Sequence, residues 1–99
     1  MYTMVERRTA NSATMDETVQ RAHSEFFPKL QAAPGFIGFY LVSDEANGIN
    51  TAIVVWESKA DAESFDTTGS TWMHALEDLG HKLQSENRGE TVIQLEPTK

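Results

Sequence analysis

Cysteine is absent from the 99-residue chain, which rules out a disulfide framework, a thiolate nucleophile and a thiolate metal site. Positive charge is scarce. Eight Lys and Arg stand against 15 Asp and Glu, for a formal charge of −7. The only adjacent basic pair, Arg7-Arg8, falls in a strand pattern rather than in a basic stripe. Nucleic acid and anionic membrane surfaces are therefore not expected partners, since both need clustered cations to neutralise phosphate. No run nears the roughly 20 apolar residues of a membrane span. Met1 to Arg7 holds no apolar core of the signal-peptide kind. The expectation is a soluble cytoplasmic protein. There is also no phosphate-cradling glycine loop, nucleophile elbow or triad-like set.

What is present reads as one domain over residues 1–99. A chain this short buries only about 60–65% of its unfolded surface, so its margin of stability is small. Tyr2 to Thr9 alternates as a strand. Thr14-Met15-Asp16-Glu17 has the form of a capping box. Met15, Val19, Ala22, Phe26, Leu30 and Ala33 then recur at helical spacing, with a kink expected at Pro28 and a stop at Pro34-Gly35. Phe36 to Ser43 and Thr51 to Glu57 form a hairpin around Asn47-Gly48. Ser58 caps a second helix, with Asp61 three residues on. A break is expected at Thr67 to Ser70. Helix then resumes through Trp72, Leu76, Leu79 and Leu83, followed by a loop over Ser85 to Gly89 and a last strand from Glu90 to Leu95.

The order β-α-β-β-α-β is the split βαβ, or ferredoxin-like, arrangement: an α+β fold with an antiparallel sheet and helices on one face. The other sheet face carries either Phe36, Gly38, Tyr40 and Val42 or Ile37, Phe39 and Leu41. Both sets are too apolar to leave in water, which predicts a homodimer packed through that face.

Pro34-Gly35-Phe36, Trp56-Glu57-Ser58 and this element order resemble the antibiotic biosynthesis monooxygenase-like family of dimeric α+β barrels. The resemblance runs from Tyr2 to about Glu96. Phe27 to Phe36 is similar to the family's first-helix end, and Asp61-Ala62-Glu63-Ser64 with Trp72 to its second helix. It implies a cavity between sheet and helices that takes a small apolar or aromatic molecule. It also implies an oxygenase reading in which a substrate carbanion reduces oxygen with no tightly bound cofactor. Non-catalytic ligand binding, as in a stress-related barrel, is the alternative within the same fold. The haem-degrading branch has an asparagine on the first strand, then a tryptophan and an iron-binding histidine on the second helix. Aligned on Trp56-Glu57-Ser58, this chain has His74 at the histidine, but Phe65 at the tryptophan and Arg7 near the asparagine. That match disfavours haem degradation and leaves haem binding through His74 as a third reading.

The candidate acid–base groups are His23 and His74. His23 lies about 80° from Met15, at the edge of the first apolar stripe, where it would meet a pocket mouth or pack on Phe27. His74 lies about 200° from Trp72 and faces solvent if the helix is continuous; a break at Thr67 to Ser70 would turn it inward. His74, Asp78 and His81 would share a helix face at metal-ligand spacing, although a solvated face explains them far better, and no metal is assigned. Tyr40, Trp56, Phe65 and Trp72 are the candidates for substrate contact, with core packing as their other role. Arg7 and Arg8 point to opposite faces, so only one can enter the interior, and it would need an anion such as Glu6.

Overall fold

A computed structural model describes residues 1–98, with eight elements in chain order. They are β1 (Tyr2–Thr9), α1 (Met15–Arg21), a π-helical turn (Ala22–Phe26), α2 (Phe27–Ala32), β2 (Phe36–Asp44), β3 (Ile49–Trp56), α3 (Lys59–Asp78) and β4 (Leu83–Glu90). The strands form an antiparallel sheet in the order β2-β3-β1-β4. The helices cover one face, as the ferredoxin-like reading expects.

Register assigns the faces. Tyr2, Met4, Glu6 and Arg8 of β1 lie opposite Trp56, Val54, Ala52 and Asn50 of β3, and this set faces the helices. On β2 a bulge between Phe36 and Gly38 shifts the alternation. Phe36, Phe39 and Leu41 therefore lie opposite Trp56, Val54 and Ala52 on the inner face, while Tyr40 and Val42 turn outward. Neither of the two alternating sets expected from sequence survives intact. The extra residue, Ile37, exchanges their members.

Pro34-Gly35-Phe36 and Trp56-Glu57-Ser58 form one corner. The Glu57 amide donates to the Gly35 carbonyl at 2.8 Å. Gly35 holds φ +78°, and a β-carbon there would run into the Asp61 carboxylate. Ser58 caps α3 by accepting from the Asp61 amide at 3.2 Å, as expected.

Several local expectations are corrected. Thr14 makes no side-chain cap; its hydroxyl donates instead to the Leu79 carbonyl at 2.7 Å, tying the start of α1 to the end of α3. The irregularity in the first helix precedes Pro28, as the π turn: proline has no amide hydrogen for the Ser24 carbonyl, and the coil widens before it. Thr67 to Ser70 does not break α3, which runs unbroken for 20 residues. Gly69 is buried there, and Phe65 packs on the site where its β-carbon would be. The helix stops at Gly80, with φ +90°, where His81 donates to Leu76 O at 2.9 Å and Gly80 to Glu77 O at 3.0 Å, a Schellman ending. Leu83 thus opens β4 instead of closing a helix. The last strand covers the polar run expected as a loop, and Thr91 to Thr98 lies outside the sheet.

Candidate functional site

Between the sheet and the helices lie two adjoining cavities, of about 110 and 160 Å3. Phe26 and Trp72 wall both, and their rings stack at 5.3 Å and 10°. The first cavity is lined by Met4, Leu30, Val54, Trp56, Phe65 and Trp72. Trp56 and Phe65 meet at 5.3 Å, and the indole nitrogen of Trp56 is buried with no hydrogen-bond partner. At its rim, Arg88 pairs with Asp66 at 3.1 Å and with Glu86 at 2.9 Å. The hydrogen bond that Arg88 donates to Asp66, with both carboxylates nearby, raises Arg88 above the ordinary arginine range.

The second cavity carries the polar groups. Alternation on β1 brings Glu6 and Arg8 to one face, and cross-strand pairing brings Asn50 opposite Arg8. Arg8 is buried. It donates to Glu6 at 2.7 Å, to Glu77 at 2.9 Å and to the His81 carbonyl at 2.9 Å. Its charge is thus matched by two carboxylates, which is what makes burying it tolerable. The hydrogen bond from Arg8 holds Glu77 below its ordinary value of 4.5. Glu6 lines both cavities, at the junction between them.

His81 is fully buried. Its Nδ1 accepts from the Asn11 amide at 3.2 Å. Its Nε2 is 2.7 Å from the Thr18 hydroxyl, which donates on to the Thr14 carbonyl at 2.8 Å. Nδ1 also lies 3.2 Å from the Thr9 carbonyl. Asn50 is 7% exposed. Its amide nitrogen lies 3.4 Å from the Met15 sulfur, and its Oδ1 has no partner.

The residues singled out from sequence divide into three groups. Trp56, Phe65 and Trp72 line the cavities. His23 reaches the rim of the second cavity from an exposed position, its ring edge-on to Phe27 at 4.9 Å. Tyr40 and His74 are not brought to either cavity. The bulge puts Tyr40 on the outer sheet face, 60% exposed, and the unbroken α3 leaves His74 facing solvent. The shared metal-ligand face also fails, because the chain turns at Gly80 and carries His81 into the core, away from His74 and Asp78. Among the described residues, no three His, Asp or Glu are grouped to hold a metal. Sequence reading missed Asn50, Thr18 and His81 as cavity residues. Only cross-strand register and the turn at Gly80 place them together.

No family model and no curated protein matches the chain. Solved structures do. A monooxygenase from the gene ActVA-Orf6 of Streptomyces coelicolor, in complex with Nanaomycin D, has a TM-score of 0.77 at 16% identity, over 98% of this chain and 92% of that one. SnoaB, a cofactor-independent oxygenase from Streptomyces nogalater, gives 0.66 at 20% identity, over 98% and 97%. The heme-degrader MhuD from Mycobacterium tuberculosis, with two hemes bound in its active site, gives 0.67 at 17% identity, over 97% and 100%. The chain shares the fold of antibiotic biosynthesis monooxygenase-like proteins. One fold carrying such different chemistries does not by itself assign an activity.

Proposed function

We propose that this chain binds a small electron-rich aromatic molecule between sheet and helices and oxidises it with molecular oxygen, without a tightly bound cofactor. The observation that carries this reading is the paired cavity: aromatic walls from Phe26, Trp56, Phe65 and Trp72, with the Glu6 carboxylate where the two chambers join. A ring held against those walls would present an acidic hydroxyl or C–H to Glu6. Removing that proton makes the ring a stronger reductant, and the ring supplies all the electrons to oxygen: one oxygen atom becomes a ring carbonyl and the other leaves as water with the two hydrogens the ring loses. Arg8 fixes one oxygen of Glu6 and so orients the carboxylate. His23, at the rim of the second cavity, is the other candidate to carry a proton, between the cavity and water. His74 has no place in this chemistry.

Haem fits this arrangement poorly. His74 lines neither cavity, so iron bound through it would sit outside both chambers. The binding-only alternative shares the cavity and differs only in leaving the ligand unchanged.

The homodimer belongs to the same reading. Tyr40 and Val42 are 60% and 56% exposed on the outer face, beside Ile37 at the bulge, and a second copy would cover them.

Oxygen uptake with a panel of hydroxylated mono- and bicyclic aromatics tests the activity. Uptake that requires both protein and ring, and that falls about 100-fold or more in Glu6→Gln while the melting temperature shows the variant folded, is the expected result. A ring that binds and is recovered unchanged would leave the binding-only alternative.

A further inference from the structure

We infer that Asn50 is the ligand-reading group of the second cavity and that it selects a neutral aromatic carrying a hydrogen-bond donor, a phenolic or enolic hydroxyl, over an anion. This rests on the aromatic-cavity reading and adds to it a recognition residue and a polarity.

Asn50 is more than nine-tenths buried and lines the cavity. Its carboxamide is almost unused. Oδ1 accepts no hydrogen bond, and the nitrogen has only the Met15 sulfur at 3.4 Å, a weak acceptor. Buried polar atoms are rarely left so, because the lost hydration is not replaced. Of the neighbouring polar side chains only Glu6, where the two cavities join, also offers the ligand an acceptor. Thr18 and His81 are bonded to each other, and Arg8 is engaged by Glu6, Glu77 and the His81 carbonyl. The Asn50 atom left with no partner at all is therefore an acceptor, Oδ1. The paired carboxylates leave no unmatched positive charge to attract a carboxylate or phosphate. The volume, about 160 Å3, is on the scale of cavities that admit one benzene ring. Phe26, Phe39 and Trp72 supply the ring's walls.

Phenol, anisole and benzoate serve as probes, with binding measured by NMR titration or calorimetry on the intact chain. Phenol and anisole share the ring and differ in the donor; benzoate adds charge. The wild type should bind phenol about three- to tenfold more tightly, relative to anisole, than Asn50→Leu does, the worth of one hydrogen bond. Benzoate should bind weakest. Asn50→Asp keeps the shape and an acceptor, and it should retain the phenol preference and reject benzoate further. This variant keeps the test open if Asn50→Leu does not fold. An unchanged phenol-to-anisole ratio in Asn50→Leu, or loss of the preference in folded Asn50→Asp, would overturn the assignment, as would tighter binding of benzoate than phenol. In each of those cases the aromatic cavity still stands. Failure of the wild type to bind any of the three rings overturns both the assignment and the cavity reading beneath it.

Discussion

At the residue scale, the most constrained group is Arg8. Its guanidinium reaches three partners on different segments, Glu6 beside it on β1, Glu77 on α3 and the His81 carbonyl after the Gly80 turn. A lysine could not reproduce that fork. Glu77 is held below 4.5 by its hydrogen bond from Arg8. A carboxylate with a depressed folded value binds protons less readily in the native state than in the unfolded one. Its contribution is complete above about pH 4.5 and is lost as pH falls through the lower folded value. Glu77→Gln should therefore be less stable than wild type at neutral pH, with the gap closing under acid. Melting temperature against pH for both proteins checks this, and a gap that widens under acid would contradict it. The effect should be modest, since Glu77 is partly solvated.

At the scale of elements, the ends of the helices decide what the cavity contains. Had α3 continued to Leu83, His81 would lie on a helix face and β4 would lose its first residues. Gly80 prevents this. Its φ of +90° is a conformation that L side chains rarely adopt, and a β-carbon there would stand 2.5 Å from the side-chain nitrogen Nδ2 of Asn11. Asn11 in turn donates to the Leu79 carbonyl at 3.0 Å and to His81 through its backbone. Gly80→Ala should cost about 1–2 kcal/mol, which chemical denaturation would measure. It should also loosen His81, visible as faster hydrogen exchange at the Asn11 and His81 amides. A substitution that is neutral in both measurements would mean the turn is not what positions His81. The π turn works similarly on the first helix. One widened coil bridges α1, which supplies Thr18, and α2, which supplies Leu30, and Phe26 at its end meets Trp72.

At the scale of the whole molecule, the two sheet faces have different fates. The inner face packs on the helices and bounds the cavities. The outer face leaves Tyr40, Val42 and Ile37 largely in solvent, and the segment after β4 adds Val92, Ile93 and Leu95, each more than 80% exposed. A homodimer through the outer face would remove the first patch. Native mass spectrometry at micromolar concentration should give a dimer for wild type. Tyr40→Lys should shift it toward monomer while the circular dichroism spectrum stays unchanged. A wild-type monomer would sink the homodimer. No helix among the described residues is long and apolar enough to cross a membrane.

The element order, the hairpin at Asn47-Gly48, the Ser58 cap and the stop at Gly35 were all legible in the sequence, because each depends on neighbouring residues and local periodicity. The sequence also identified Trp56, Phe65 and Trp72 as aromatics on inward stripes. Strand pairing in the folded chain set the face of Tyr40, since one inserted residue at Ile37 exchanges the two sides of a strand. It decided that β4 is the polar run from Leu83 to Glu90, because pairing with β1 outweighs weak strand propensity at an edge. The tertiary fold also left His74 in water and brought His81, Thr18 and Asn50 together from a loop, a helix and a strand. Contacts between residues 63 positions apart, as Thr18 and His81 are, leave no periodic trace in a sequence.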